Sequence, residues 1–78
     1  MTPEQIQEML EINIPDCKAT VISDDNTHFE ATVISDAFDG KRSLQRHQMI
    51  YAALGDKIGG DIHALSIKAL TPDEFNLG

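Results

Sequence analysis

The sequence predicts a two-layer α/β sandwich in which helices pack on a three-stranded mixed sheet. Helical and strand-like patterns alternate along the 78 residues in the order α-β-β-α-α-β-α. A short turn joins the first two strands, so they pair antiparallel, whereas the third strand follows a helical crossover and lies parallel to an earlier one. The length suits a single domain, which we assign to residues 1–78.

The first helix is predicted over residues 3–12. Thr2 can cap its N-terminus, Pro3 suits the first turn, and Gln5 occupies the capping-box position. Apolar residues follow at helical spacing, and the turn-forming residues around Pro15 end the helix.

Two strands follow as a hairpin. Residues 18–23 are rich in β-branched side chains, and residues 24–26 form a turn of two aspartates and an asparagine. Residues 28–35 then alternate in character, with Phe29 and two further apolar side chains on one face. This alternation predicts a strand with one buried face.

An amphipathic helix is predicted after Ser43, which suits its N-cap. Its apolar stripe consists of Leu44, His47, Ile50, Tyr51 and Leu54. Gly55 interrupts the helix, and residues 56–58 form a short second helix or its last turn.

The third strand is predicted over residues 62–70, with His63 in phase with the apolar face of the strand. Residues 71–74 repeat the capping signature of the first helix, with threonine, proline and an acid in the same order. We therefore expect a short closing helix, anchored by Phe75 and Leu77.

Charge is unevenly distributed along the chain. The net charge is −7, but residues 40–57 total +3 and the remainder totals −10. The whole chain should repel nucleic acid, while Lys41, Arg42 and Arg46 can meet a phosphate or an acidic partner locally. An ordinary solvated helix face explains the same charges.

The single cysteine, Cys17, excludes an internal disulfide and cannot hold a zinc or iron–sulfur centre alone. It indicates a reducing compartment, and its expected role is that of a small buried apolar residue. No apolar segment reaches the length of a membrane span, and the N-terminus lacks the features of a signal peptide. We therefore expect a cytoplasmic protein that does not bind membranes.

Complete catalytic motifs are absent from the sequence. There is no glycine-rich phosphate loop, no GxxG clamp, no paired metal-ligand motif and no framed nucleophile. The chain is therefore not expected to be an enzyme.

Three histidines and two aspartates are the remaining candidates for chemistry. His63 is either a hydrogen-bonded imidazole at the edge of the core or a metal ligand with one ring nitrogen facing out. His28 is expected to be exposed, and it becomes a second ligand if the turn folds towards His63. His47 is interpreted as structural. Asp24 and Asp25 are most simply turn residues, although carboxylates also bind metals and suit soft iron–sulfur centres poorly.

The segments THFEATVISDAFDGKRSLQRHQMIYAAL and IHALSIKALTPDEF resemble the BolA family. Four motifs occur in the family's order: T/S-H-F, V-x-S-x-x-F-x-G, L-x-R-H-x-x-I/V-Y, and I/V-H-A-L-x-I followed by T-P. The resemblance extends over nearly the whole chain, and the compact acidic form is similar to the shorter bacterial branch. It implies an α-β-β-α-α-β-α fold related to the class II KH topology.

The resemblance also implies a heterodimer with a monothiol glutaredoxin that has a CGFS active site. A [2Fe-2S] cluster is shared in such pairs, with the glutaredoxin cysteine and glutathione on one side. The family's near-invariant ligand on the other side is the histidine of the H-A-L strand, here His63. Many members carry a second Cys or His ligand in the hairpin loop. The corresponding place here is near Asp25, which leaves His28, a loop carboxylate or no strong second ligand.

Three function classes are therefore in competition. The first is an adaptor that binds the glutaredoxin and acts in iron–sulfur cluster trafficking or in iron or redox sensing. The alternative is a nucleic-acid-binding transcriptional regulator, linked to stress responses, that uses Lys41, Arg42 and Arg46 to bind DNA weakly. A metal-free interaction module is a third class. The sequence leaves the free protein open between a monomer and a homodimer.

Overall fold

The computed structural model describes residues 1–77 and has the predicted mixed three-stranded sheet with helices. The elements are α1 (Pro3–Asn13), β1 (Cys17–Ile22), β2 (His28–Ser35), α2 (Ser43–Leu54), β3 (Ala64–Leu70) and α3 (Pro72–Leu77). Strand β2 lies in the centre, antiparallel to β1 and parallel to β3. The predicted crossover connection is thus confirmed. None of the helices in the described part of the chain is long and apolar enough to cross a membrane.

The core lies on one face of the sheet, between the sheet and helices α1 and α2. In β2, the side chains of Phe29, Ala31 and Val33 point inward, and the alternate residues point to the opposite, open face. The buried apolar side chains are Ile6, Leu10, Ile14, Ala19, Val21, Phe29, Ala31, Val33, Phe38, Ile50, Leu54 and Ile62. Because the helices cover only one face, the other remains available to solvent.

The predicted start of α1 is confirmed by its hydrogen bonds. The Gln5 backbone N–H donates to Thr2 Oγ1 at 3.2 Å, and the Thr2 backbone N–H donates to Gln5 Oε1 at 2.9 Å. This reciprocal pair is the capping box that the sequence indicated.

The start of α2 differs from the prediction. Ser43 is the first helical residue, and Arg42 is the N-cap, whose backbone N–H donates to Gln45 Oε1 at 2.9 Å. The predicted apolar stripe is also only partly correct, because Leu44 and Tyr51 are exposed. The stripe was too wide for one packing face, so its buried members are those that contact the sheet and α1, Ile50 and Leu54.

Strand β3 begins two residues later than predicted, at Ala64. Residues 58–62 close a tight turn, in which the Ile62 backbone N–H donates to Lys57 O and the Gly59 backbone N–H donates to Ile62 O. This turn buries the side chain of Ile62 and leaves His63 exposed in the bend before the strand. His63 is therefore not a strand residue that points into the core.

The predicted apolar anchor of α3 is wrong. Phe75 and Leu77 are 51% and 89% exposed, and the described helix buries none of its side chains. A polar tether holds α3 instead. Glu74 accepts two hydrogen bonds from the guanidinium of Arg46, and its backbone N–H donates to Thr71 Oγ1 at 3.2 Å.

Candidate metal-ligand site at one end of the sheet

The strand register brings His28 and His63 to the same end of the sheet. His28 is the first residue of β2 and pairs with Ala64 of β3. His63 is the residue before Ala64, and its backbone N–H donates to the carbonyl of Thr27, the residue before His28, at 3.2 Å. The backbones of the two histidines are therefore close neighbours, although 35 positions separate them in the sequence.

The two imidazole rings nevertheless line separate grooves. The His63 ring lies in a groove of about 220 Å³ with Tyr51, Ile58, Ile62 and Leu65. The His28 ring lies in a groove of about 390 Å³ on the open face of the sheet, at the hairpin turn. The hairpin turn adjoins His63 through the hydrogen bond to the Thr27 carbonyl, but His28 and His63 line different grooves.

An apolar surface surrounds His63. Tyr51 and Ile58 are both exposed and both line its groove, and Leu44 is exposed further along α2. The helical spacing had placed Leu44 and Tyr51 on the apolar stripe of α2. The signal that was missed is the width of the α2 stripe, which covers more of the helix than one packing face needs.

The hairpin turn holds His28 through Asp25. Asp25 Oδ2 lies 2.8 Å from His28 Nδ1, and Asp25 Oδ1 accepts hydrogen bonds from the backbone N–H groups of Thr27 and His28, each at 2.9 Å. These bonds from the His28 backbone, the His28 ring and the Thr27 backbone hold the pKa of Asp25 well below its usual range. The His28 side chain remains 68% exposed, so its outer edge is open to solvent.

Cys17 lies at the far end of the sheet from both histidines. It begins β1 and pairs with Ser35, the last residue of β2, whereas His28 is the first. Seven residues of extended strand separate these ends by roughly 23 Å. Burial, reinforced by the charge of Glu11, raises the pKa of the thiol to about 11. Cys17 was predicted to be a small buried apolar residue; it packs against the core but is only half-buried.

The two histidines at this end of the sheet can supply only some of the ligands that a metal site needs. Among residues 1–77, no group of three or more His, Cys, Asp or Glu side chains is arranged to hold a metal ion. What the sheet end offers is two exposed imidazoles, and imidazole is a known iron ligand in [2Fe-2S] centres of the Rieske type. These residues fit a cluster only if another molecule supplies its remaining ligands.

The basic segment before and within α2 separates into two groups. Lys41 and Arg42 are exposed, whereas the Arg46 side chain is only 12% exposed. Arg46 NH1 lies 2.6 Å from Glu74 Oε1, which lowers the pKa of Glu74 to about 2. Two of the three predicted phosphate-binding residues are therefore accessible, and the third holds α3. His47 is half-buried on α2.

Comparison with known proteins finds related sequences. A family model described as BolA-like protein matches residues 8–74. BolA-like protein 1 of Homo sapiens is 40% identical over 68 residues, which are 87% of this chain and 50% of the human protein. The chain thus spans about half the length of such mammalian relatives. The Escherichia coli (strain K12) protein named DNA-binding transcriptional regulator BolA is 32% identical over 72 residues, 92% of this chain and 62% of that protein.

Solved structures share the fold over nearly the whole chain. A BolA protein homologue from Coxiella burnetii superposes with a TM-score of 0.82 at 41% identity, covering 97% of each chain. The BolA domain of SufE1 from Arabidopsis thaliana superposes with a TM-score of 0.74 at 38% identity, covering 92% of this chain and 93% of that domain.

Proposed function

The chain belongs to the BolA family, and from this premise we propose that it is a non-catalytic adaptor in iron–sulfur cluster handling. Its partner is a monothiol glutaredoxin with a CGFS active site. The two proteins share one [2Fe-2S] cluster, to which the glutaredoxin contributes its cysteine and a bound glutathione. The bound cluster supplies labile iron and sulfide that can be sensed or passed on. The adaptor contributes imidazole, with His63 as its principal ligand.

The observation that carries this proposal is the exposed imidazole of His63 beside apolar side chains that are also exposed. A protein that brings a metal to His63 has to cover the groove it lines, and this contact removes Tyr51 and Ile58 from water. The His63 ring makes no hydrogen bond to another side chain of residues 1–77, so it can turn to meet a ligand-bearing partner. A cluster shared between two proteins needs a free ligand on this chain, here His63, and an apolar surface beside it that the partner can cover.

The distribution of the fold also supports this proposal. A BolA domain forms part of SufE1, and Fra2 of yeast has a solved structure that matches this chain with a TM-score of 0.73 at 30% identity. Both similarities favour an iron–sulfur role over a general interaction module.

Cluster reconstitution tests the proposal. The wild-type chain, a CGFS glutaredoxin, glutathione, iron and sulfide are mixed, and visible absorption and circular dichroism are recorded. We expect a spectrum that differs from that of the glutaredoxin homodimer and that His63→Ala abolishes. His47→Ala is the matched control, because it removes an imidazole from α2 and should keep the spectrum. A wild-type mixture that shows only the homodimer spectrum would remove the iron–sulfur role.

DNA binding is a second candidate, favoured by the exposure of Lys41 and Arg42 at the start of α2 and by the name of the E. coli relative. Each phosphate contact contributes about −0.9 to the slope of log affinity against log salt concentration. Two accessible cations therefore predict a slope of about −2, and a third contact from Arg46 would make it about −3. Fluorescence anisotropy with a DNA duplex measures this slope. A double variant, Lys41→Glu with Arg42→Glu, should abolish binding, and unchanged binding would exclude this surface.

A further inference from the structure

We propose that Asp25 is a positioning residue that holds the His28 imidazole with its Nε2 atom facing outward as a metal ligand. This inference rests on the proposed function and names the second imidazole that the adaptor contributes. It assigns different roles to the two side chains of the hairpin turn. His28 contacts the iron, and Asp25 acts through His28.

The hydrogen bonds of Asp25 leave little of its carboxylate for a metal. Oδ1 accepts from two backbone N–H groups and lies 3.3 Å from the Ser23 hydroxyl, which also donates to the His28 carbonyl. Oδ2 is directed at His28 Nδ1. Binding a metal directly through Asp25 would break the hydrogen bonds from the Thr27 and His28 backbone N–H groups that shape the turn. Asp25 is therefore a poor ligand.

The same geometry makes His28 a good ligand. A carboxylate only accepts hydrogen bonds, so the neutral imidazole must place its proton on Nδ1, at 2.8 Å from Asp25 Oδ2. The lone pair is then on Nε2, the ring atom that faces away from the turn. Metal-binding histidines usually donate their other ring N–H to a carboxylate or carbonyl in this way, which fixes the tautomer and strengthens the ligand.

The contrast between the two histidines completes the argument. Asp25 fixes the ring of His28, whereas none of the described residues hydrogen-bonds the ring of His63. Their backbones adjoin at the contact between His63 N–H and the Thr27 carbonyl. A partner that covers this end of the sheet thus meets one imidazole that Asp25 holds and one that no hydrogen bond from the described residues holds.

The substitution Asp25→Asn separates positioning from a structural role. Asparagine keeps the side-chain oxygen that accepts from the backbone N–H groups of Thr27 and His28, so the turn can persist. Its amide group replaces Oδ2 and donates to His28 Nδ1, which moves the ring proton to Nε2. The matched control is Asp24→Asn, which makes the same charge change one residue earlier.

Two measurements test the inference. Ring nitrogen shifts from long-range ¹H–¹⁵N NMR of the free protein report the His28 tautomer. We expect the proton on Nδ1 in the wild-type chain and in Asp24→Asn, and on Nε2 in Asp25→Asn. In the reconstituted heterodimer, pulsed EPR of the reduced cluster should detect two imidazole nitrogens, and one in His28→Ala. Asp25→Asn should shorten the lifetime of the shared cluster by about 10–100-fold relative to Asp24→Asn.

The outcomes separate this inference from the proposed function. A shared cluster that His63→Ala destroys but that His28→Ala and Asp25→Asn leave unchanged would overturn the inference and keep the function. A wild-type His28 with its proton on Nε2 would overturn the positioning role whatever the cluster does. If no shared cluster forms while the wild-type ring carries its proton on Nδ1, the proposed function fails and only the positioning of the ring stands.

Discussion

Replacing Arg46 with methionine removes a cation that joins three parts of the fold while keeping an apolar stem of similar length. The guanidinium donates from Nε to the Lys41 carbonyl at 2.9 Å and from NH1 to the Ala69 carbonyl at 3.0 Å, and it binds Glu74 through two nitrogens. It also lies 5.9 Å from the ring centre of Phe38, a buried core residue. The variant therefore disconnects α2, β3 and α3 at one point.

The expected loss follows from these contacts. Each of the two carbonyl hydrogen bonds contributes a net of about 1 kcal/mol to the free energy of unfolding. The contact with the Phe38 ring adds about 0.5 kcal/mol. We therefore expect Arg46→Met to lower the free energy of unfolding by about 2–3 kcal/mol. In a domain of this size, a change of that magnitude lowers Tm by roughly 10–20 °C.

Urea unfolding followed by far-UV circular dichroism measures the loss. The slope of the free energy of unfolding against urea concentration should be the same in the wild-type and Arg46→Met proteins, which checks two-state behaviour. Arg42→Met is the matched control, since it removes an exposed cation from the start of the same helix. Hydrogen exchange should also be faster at the Phe75 amide, which donates to the Thr71 carbonyl in the first turn of α3. An Arg46→Met protein as stable as Arg42→Met would refute the assignment of Arg46 as a structural tether.

Four further predictions concern pH, thiol reactivity, the core and the first cap. The Glu74 pKa of about 2 is below its ordinary value of 4.5, so its stabilising contribution is present above pH 4.5 and is lost as the pH falls through 2; Glu74→Gln should remove this part of the pH dependence in urea titrations. With a pKa of about 11, Cys17 should react with iodoacetamide at pH 8 far more slowly than a peptide thiol, and Glu11→Gln should raise the rate. Phe29→Ala should cost about 3–5 kcal/mol of unfolding free energy, measured by urea titration, because its ring is buried in the core. Thr2→Ala should cost about 1 kcal/mol in the same assay through the loss of the α1 cap, and no change would argue against the capping box.

Local chemistry determined most of what the sequence predicted correctly. Strand β2 was predicted over the residues it occupies. Its apolar side chains Phe29, Ala31 and Val33 recur at every second residue, and only one register places all three on the buried face of the sheet. The capping boxes that start α1 and α3 were also correct, since each depends on residues three positions apart. The link between Asp25 and His28 has the same spacing, so a sequence search for a carboxylate three residues before a histidine in a turn would have found it.

Long-range contacts determined what the sequence could not predict. The tether between Arg46 and Glu74 joins side chains 28 positions apart, and it replaces the apolar anchor expected from Phe75 and Leu77. The bend that exposes His63 depends on the buried side chain of Ile62 and on a hydrogen bond to the Thr27 carbonyl. The local pattern shows neither the turn that buries Ile62 nor the hydrogen bond to Thr27, and it therefore indicated a continuous strand from 62 to 70.

Native mass spectrometry of the reconstituted mixture tests the central claim most directly, because one spectrum reports partner, cluster and glutathione together. We predict a species that contains one copy of this chain, one CGFS glutaredoxin, one [2Fe-2S] cluster and one glutathione, and that is absent when His63 is replaced by alanine. A heterodimer of equal abundance without the cluster, or a cluster found only in the glutaredoxin homodimer, would contradict the proposal that this protein shares the cluster through His63.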